Sequence, residues 1–242
     1  MAKILNIETS SHVCSVVYSI DGKVVTCKEN NIDKTHATLL TSYIEDILKA
    51  QQISTHDLDA IAVSKGPGSY TGLRIGVSTA KGLCYGANIP LLSVCSLQSM
   101  ANGIMENEIA NELYKTKKNN ILICPLVDAK RMEVYTARYT ALNKQVSEIE
   151  ALIIDETSFL EELANHQMIF FGSGALKCKH TIQHKNAIFI ENFEPSARFM
   201  TLLSEEAFTN KNFEDTAYFE PFYLKDFVPT IPKKNIIQKM IQ

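Results

Sequence analysis

The sequence predicts an α/β protein built as two lobes of like construction, each a mixed sheet with covering helices. Three observations carry that expectation. Short apolar runs that read as buried strands alternate with segments of helical periodicity. The order strand, acidic corner, hairpin, helix, strand, glycine turn occurs twice. A length of 242 residues suffices for one large domain or two small ones.

The first unit opens with KILNI, an apolar run ending at the polar corner Glu8-Thr9-Ser10-Ser11. VCSVVYSIDGKVVTCKE reads as a hairpin, because Asp21-Gly22 supplies the pair a type I′ turn wants. THATLLTSYIEDILKAQ reads as an amphipathic helix: Leu40, Tyr43, Ile44, Ile47 and Leu48 recur at helical spacing, and Thr35 stands at the cap. AIAVS is the next strand. SKGPGSYTGLRIGVSTAKGLC then forms a glycine loop running into a helix that starts near Thr71, and SLQSMANGIMENEIANELYKTKKNN is a helical bridge.

The second unit repeats the order. ILICPLV ends at Asp128, MEVYTARYT and the segment near Gln145 suggest a hairpin, and TSFLEELANH is a helix. MIFFGSG ends in the turn Gly172-Ser173-Gly174, and SARFMTLLSEEAFTN closes the unit. Two facing lobes would place Glu8, Asp128 and both glycine turns around one cleft. The expected division is 1–104 for a first lobe carrying a partner face and 105–226 for a second, its last strand-helix region free to pack back on the first. Residues 227–242 read as a loose tail. A single sheet with accidental symmetry is the alternative.

Composition narrows the function. With 45% hydrophobic and 21% charged residues the chain is an ordinary folded one, and a net charge of −3 supplies no general basic field for nucleic acid. The six cysteines show no short pairing, so neither a zinc knuckle nor a redox pair is expected, and they read as buried thiols of a reducing compartment. Glu8 interrupts the N-terminal apolar run before a signal develops, and no stretch reaches the roughly 18 apolar residues of a membrane span. The expected location is cytoplasmic, away from membranes.

The glycine stretch fits none of the named cradles. Thr71 stands five residues after Gly66 and Leu73 five after Gly68, which excludes a Walker loop. Thr71 also stands where a dinucleotide fingerprint needs its last glycine, and the serine elbow pattern is missing. A helix N-terminus attracts anions, while Arg74 in the first turn opposes the helix dipole, so an anionic partner, whether a phosphate, a carboxylate or a neighbouring subunit's acidic side chain, would relieve both. A bridge to a local Asp or Glu does the same. Gly72, Gly76 and Ala80 stand four apart and leave one nearly bare face. An interior glycine costs about 0.8–1 kcal/mol relative to alanine, which close packing offsets. That packing is either against the chain's own sheet or, the favoured reading, against another protein, with Tyr43, Ile44 and Ile47 extending the surface.

GPGSYTGLRIGVSTAKGLC, with ILNIETSSHVCSVVY before it and LVDAKRMEVYTARY and EPFYLKDF after it, closely resembles the bacterial TsaB (YeaZ) family, from residue 3 to about 227. The resemblance implies the two-lobed actin/Hsp70/sugar-kinase fold and a place in the machinery that adds threonylcarbamoyl to an adenosine of tRNA. It implies a non-catalytic dimerisation subunit. The paralogous TsaD carries the metal and the transfer, a P-loop ATPase (TsaE) joins them, and a TsaC-type enzyme makes the donor. ATP and metal thus belong to the partners, this subunit needs no cofactor or metal, and tRNA is met mainly through the complex. Helices matching 36–50 and 70–86 form the TsaD interface, or a homodimer contact when TsaD is absent. By resemblance and helical face, the interface residues are His36, Leu40, Tyr43, Ile44, Ile47, Gly72, Arg74, Gly76, Val77 and Ala80. Gly66, Pro67, Gly68, Ser69 and Thr71 match the signature loop.

Departures from the wider pattern set the rest. TsaD-type subunits hold their metal with H-x-x-x-H in the bridging helix, and the bridge here contains no histidine. The one such pair, His180 and His184, lies in the second lobe, does not match that position, and reads as surface histidines. Glu8 replaces the aspartate of the first acidic corner, and its longer side chain puts a magnesium site shared with Asp128 in doubt. The cleft of Glu8, Asp128, Gly172 and Gly174 therefore reads as vestigial. An ATP-binding phosphotransferase using that cleft is the alternative function. A protease reading has no zinc motif, Ser/His/Asp order or reactive cysteine behind it.

Overall fold

The computed structural model describes residues 1–30, 36–117 and 120–225. Thr35, the side chain of His36 and the tail 227–242 lie outside them. The chain enters as β1 (Lys3–Glu8), then turns through the hairpin β2 (Cys14–Ile20) and β3 (Lys23–Asn30). Asp21 at φ 50° and Gly22 at φ 71° supply the two left-handed residues of that turn. Helix α1 (His36–Gln51) crosses over to β4 (Ala60–Gly66), and α2 (Tyr70–Ala87) crosses to β5 (Leu91–Cys95). The sheet order is β3-β2-β1-β4-β5, with β1 antiparallel to β2 and parallel to β4.

The bridge consists of α3 (Ser96–Gly103) and α4 (Glu108–Lys117). The second unit holds β6 (Ile121–Asp128), β7 (Glu133–Thr136), β8 (Tyr139–Thr140), β9 (Glu150–Ile153), α5 (Leu160–Asn165), β10 (Gln167–Phe171), α6 (Ala175–Lys179) and β11 (Ala187–Ile190). Its order is β11-β10-β6-β7-β9, with β6 antiparallel to β7 and parallel to β10. Apart from β8, which pairs with β6 off this path, this is strand for strand the topology of the first sheet, so the repeat is one of architecture. What differs is the size of the crossover helices: α5 has 6 residues and α6 has 5, against 16 in α1 and 18 in α2.

Each sheet is covered on both faces. Leu5, Ile7, Leu40, Ile44, Ile47, Val77 and Ala80 form the core beneath α1 and α2. On the opposite face Ile4, Val17, Ala62 and Leu92 meet Ala197 and Met200, which lead into α7 (Thr201–Thr209). Ser204 on α7 donates to Asn6 Oδ1 (2.7 Å), and Asn6 Nδ2 donates to Ser19 Oγ (2.9 Å), a buried polar chain that fixes the helix on the sheet. In the second lobe Leu97, Met100, Ala101 and Ile104 pack with Ile121, Ile123 and Phe171, while Phe159, Leu163 and Cys178 cover the other face.

The helix at the end of the second unit lies on the first sheet, the return that the expected division left free. The division at residue 104 cuts through the second core, because α3 already belongs to it. Both follow from the need of each sheet for a helical layer on both faces: the bridge covers the second sheet, and the chain must return to cover the first.

Candidate functional site

The acidic corner after β1 and the glycine loop after β4 are built into one another. Ser69 N–H donates to Ser10 O (2.6 Å), and Ser69 Oγ caps α2 by accepting Gly72 N–H (3.3 Å). A Cβ at Gly68 would stand 2.2 Å from Ser10 O, at Gly72 2.1 Å from Thr9 O, and at Gly76 2.2 Å from Thr9 Oγ1. These glycines let the 9–10 corner reach the helix backbone. Gly66, at φ +106°, is held to glycine by its conformation, and the Gly66–Pro67 peptide is cis. The start of α2 is thus occupied by the chain's own carbonyls.

This places the expected interface residues. Leu40, Ile44, Ile47, Gly72, Gly76, Val77 and Ala80 are buried within the chain, so the bare face of α2 serves its own sheet and cannot itself meet a partner. Tyr43 is half-buried and Arg74 and Thr71 are exposed. Arg74 stacks its guanidinium 4.8 Å above the Tyr70 ring; among the described residues it has no ion pair. The outward face of α2 carries different residues: Thr71, Arg74, Ser78, Gly82, Tyr85 and Gly86. An added Cβ at Gly82 or Gly86 would meet nothing within 4 Å, and Tyr85 between them is 86% exposed. The sequence shows Gly82 and Gly86 at the same four-residue spacing as Gly72 and Gly76, and only the fold tells the two faces apart.

Between the lobes lies a cleft of about 860 Å³, lined by Ser10–His12, Pro67–Thr71, Leu73, Val127–Arg131, Glu133, Tyr135, Ser173 and 222–225. It does not gather the expected acidic pair. Glu8 is fully buried behind the corner, with Oε1 accepting Ser10 N–H (2.5 Å). Asp128 does line the cleft, but Lys177 forms an ion pair with it, and its Oδ1 also accepts Lys130 N–H (3.0 Å). A Cβ at Gly172 would stand 2.6 Å from Met100 Cε, and one at Gly174 2.8 Å from Val134 Cγ1, so both glycines serve packing. Among the described residues no group of three His, Cys, Asp or Glu side chains could hold a metal. His184 Nδ1 accepts Asn186 N–H (3.2 Å) within its loop, and His180 is exposed.

The fold holds the thiols in their neutral form. Burial pushes Cys14, Cys27 and Cys178 up to about 11, and Cys84 and Cys124 up to about 12, so all five are protonated near neutrality. Among the described residues no helix is long and apolar enough to cross a membrane.

Two matched sheets, their crossover helices and a cleft between them define an α/β protein of the actin/Hsp70/sugar-kinase type. A family model described as TsaD, tRNA N6-adenosine threonylcarbamoyltransferase, matches residues 29–232, and the chain belongs to this family, in its TsaB (YeaZ) branch. The tRNA threonylcarbamoyladenosine biosynthesis protein TsaB of Escherichia coli is 34% identical over 57% of this chain and 54% of its own length, so that match spans about half of each. TsaB of Haemophilus influenzae is 25% identical over 93% of this chain and 94% of its own. A crystal structure from Pseudomonas aeruginosa, of a protein described as similar to peptidase YeaZ, shares the fold with a TM-score of 0.76 at 22% identity, covering 93% of this chain and all of that one.

Proposed function

We propose that this chain is a non-catalytic subunit in the biosynthesis of threonylcarbamoyladenosine on tRNA, working by packing the outward face of α2 against a TsaD-type paralogue. The observation that carries the reading is the pair Gly82 and Gly86. A glycine inside a helix costs about 0.8–1 kcal/mol relative to alanine, and no close packing asks for one here, because a Cβ at either position would meet open space. With Tyr85 exposed between them, they form a ledge shaped for another protein, and exposed aromatic residues are common anchors of interfaces. The names of the relatives support the pathway. The consumed carboxylate of Asp128 and the protonated thiols support a subunit that positions a catalyst without supplying its groups.

In this reading TsaD supplies the metal and the transfer, a TsaE-type ATPase joins the pair, and tRNA is met through the assembly in the cytoplasm. The same face closes a homodimer when TsaD is missing. Activation is then a population effect, the partner favouring one conformation when bound.

The test is light scattering of the purified chain mixed with the TsaD homologue of its own organism, using wild type, Gly82→Leu and Tyr85→Ala. Wild type should form a complex, and each variant should weaken it at least about tenfold, as loss of an interface anchor does. A complex equally tight in wild type and both variants would place the interface elsewhere. Tight binding of magnesium ATP by the isolated chain would instead favour a phosphotransferase.

A further inference from the structure

Residues 214–225 leave α7 and return across the first lobe to the cleft. Glu214 N–H donates to Leu91 O (2.8 Å), and its Oε1 accepts Ser93 Oγ (2.5 Å), which extends the edge of β5. Lys81 on α2 donates to Ala217 O (3.2 Å) and Phe219 O (2.9 Å). Phe222 N–H donates to Lys65 O (2.7 Å), and Phe222 O lies 2.9 Å from where a Gly66 Cβ would stand. The Tyr223 ring packs 5.0 Å from Tyr70. Phe222 to Lys225 then form part of the cleft wall, and Lys225 makes an ion pair with Glu133 at the start of β7 in the second lobe.

The two ends of this segment are held unequally. Five hydrogen bonds and a ring contact bind it to the first lobe, and the ion pair Lys225–Glu133 is its charged tie to the second. The Glu133 side chain is 17% exposed and that of Lys225 47%, so water and salt reach the pair and keep it weak. A segment fixed to one lobe and clasped to the other, among the described residues, by a screened charge pair is a releasable latch. We propose that residues 214–225 are a strap that holds the two lobes together across the cleft, with Lys225–Glu133 as its clasp, and that breaking the clasp opens the lobes. The hinge is then the pair of chain crossings near 96–117 and 191–196, where Phe193 packs between Phe171 (4.8 Å) and Phe199 (5.5 Å). The latch stands whether or not α2 has a partner.

Hydrogen exchange on the full chain tests it, at about 50 mM and about 500 mM salt, where screening lengths differ severalfold. The proteins are wild type, Glu133→Gln, Lys225→Glu and the charge swap Glu133→Lys with Lys225→Glu. Each single variant should raise exchange of peptides 127–135 and 219–225 at low salt by about twofold to fivefold, the range an exposed ion pair supplies. Exchange in β1 and α7 should stay unchanged. High salt should do the same to wild type and add nothing to the single variants, and the swap should restore protection. Exchange identical in wild type and single variants would overturn the latch, as would a swap that fails to restore it or a rise spread over the whole chain.

Discussion

Glycine plays two opposite roles along α2, and they separate in experiment. At Gly68 and Gly72 a methyl group would stand about 2 Å from a backbone carbonyl of the 9–10 corner, and backbone cannot swing aside as a side-chain end can. Alanine there should destabilise the fold by about 3 kcal/mol, the upper end of overpacking costs. At Gly82 the same substitution meets open space, removes the flexibility of a mid-helix glycine, and should stabilise the isolated chain by roughly 0.8–1 kcal/mol. Thermal or denaturant unfolding of Gly72→Ala and Gly82→Ala checks the opposite signs. A loss of stability in Gly82→Ala would mean that its face is covered even in the isolated chain, and the ledge would lose its meaning.

Elements differ in how far the sequence can announce them. The hairpin β2–β3 was legible because its turn is chemical: Asp21-Gly22 asks for two left-handed residues and receives them. Helix α1 was legible from its spacing, since Leu40, Ile44 and Ile47 do face the core. The glycine stretch showed that something comes close, but its visitor, the Thr9–Ser10 corner, lies some 60 residues away, and periodicity carries no address. Likewise nothing near Asp128 announces Lys177, 49 positions on, as its partner. Helix α7 shows the same limit: its sequence reads as a helix, while its place on the first sheet depends on Ser204 meeting Asn6, 198 positions apart. Ser204→Ala removes that donor and leaves Asn6 Oδ1 buried without it. The expected loss is about 1–3 kcal/mol, read from the unfolding midpoint in urea. An unchanged midpoint would show that α7 is held by apolar packing alone.

At the scale of the whole molecule, burial of thiols in both lobes makes stability depend on alkaline pH. The thiols of Cys14, Cys84, Cys124 and Cys178 lie in the core clusters of the two sheets, and Cys27 packs against the α7 side of the first. In the unfolded chain each ionises near 9.0, the ordinary value of a thiol, whereas burial holds them protonated up to about 11 or 12 in the fold. Above pH 9 the folded state therefore binds more protons than the unfolded one. Linkage then makes stability fall as pH rises, beginning at the unfolded value and ending once the folded thiols also ionise, near 11 to 12. Buried Tyr139, whose hydroxyl burial likewise pushes up, steepens the decline from about pH 10. The melting temperature should hold level from pH 7 to about 8.5 and drop steadily from 9 upward. The drop should be shallower in Cys124→Ala, because one of the most displaced thiols is gone. Both lobes contribute buried thiols, so the two should fail in the same pH window; a melting temperature at pH 10.5 equal to that at pH 8 would show that these thiols are not buried as described.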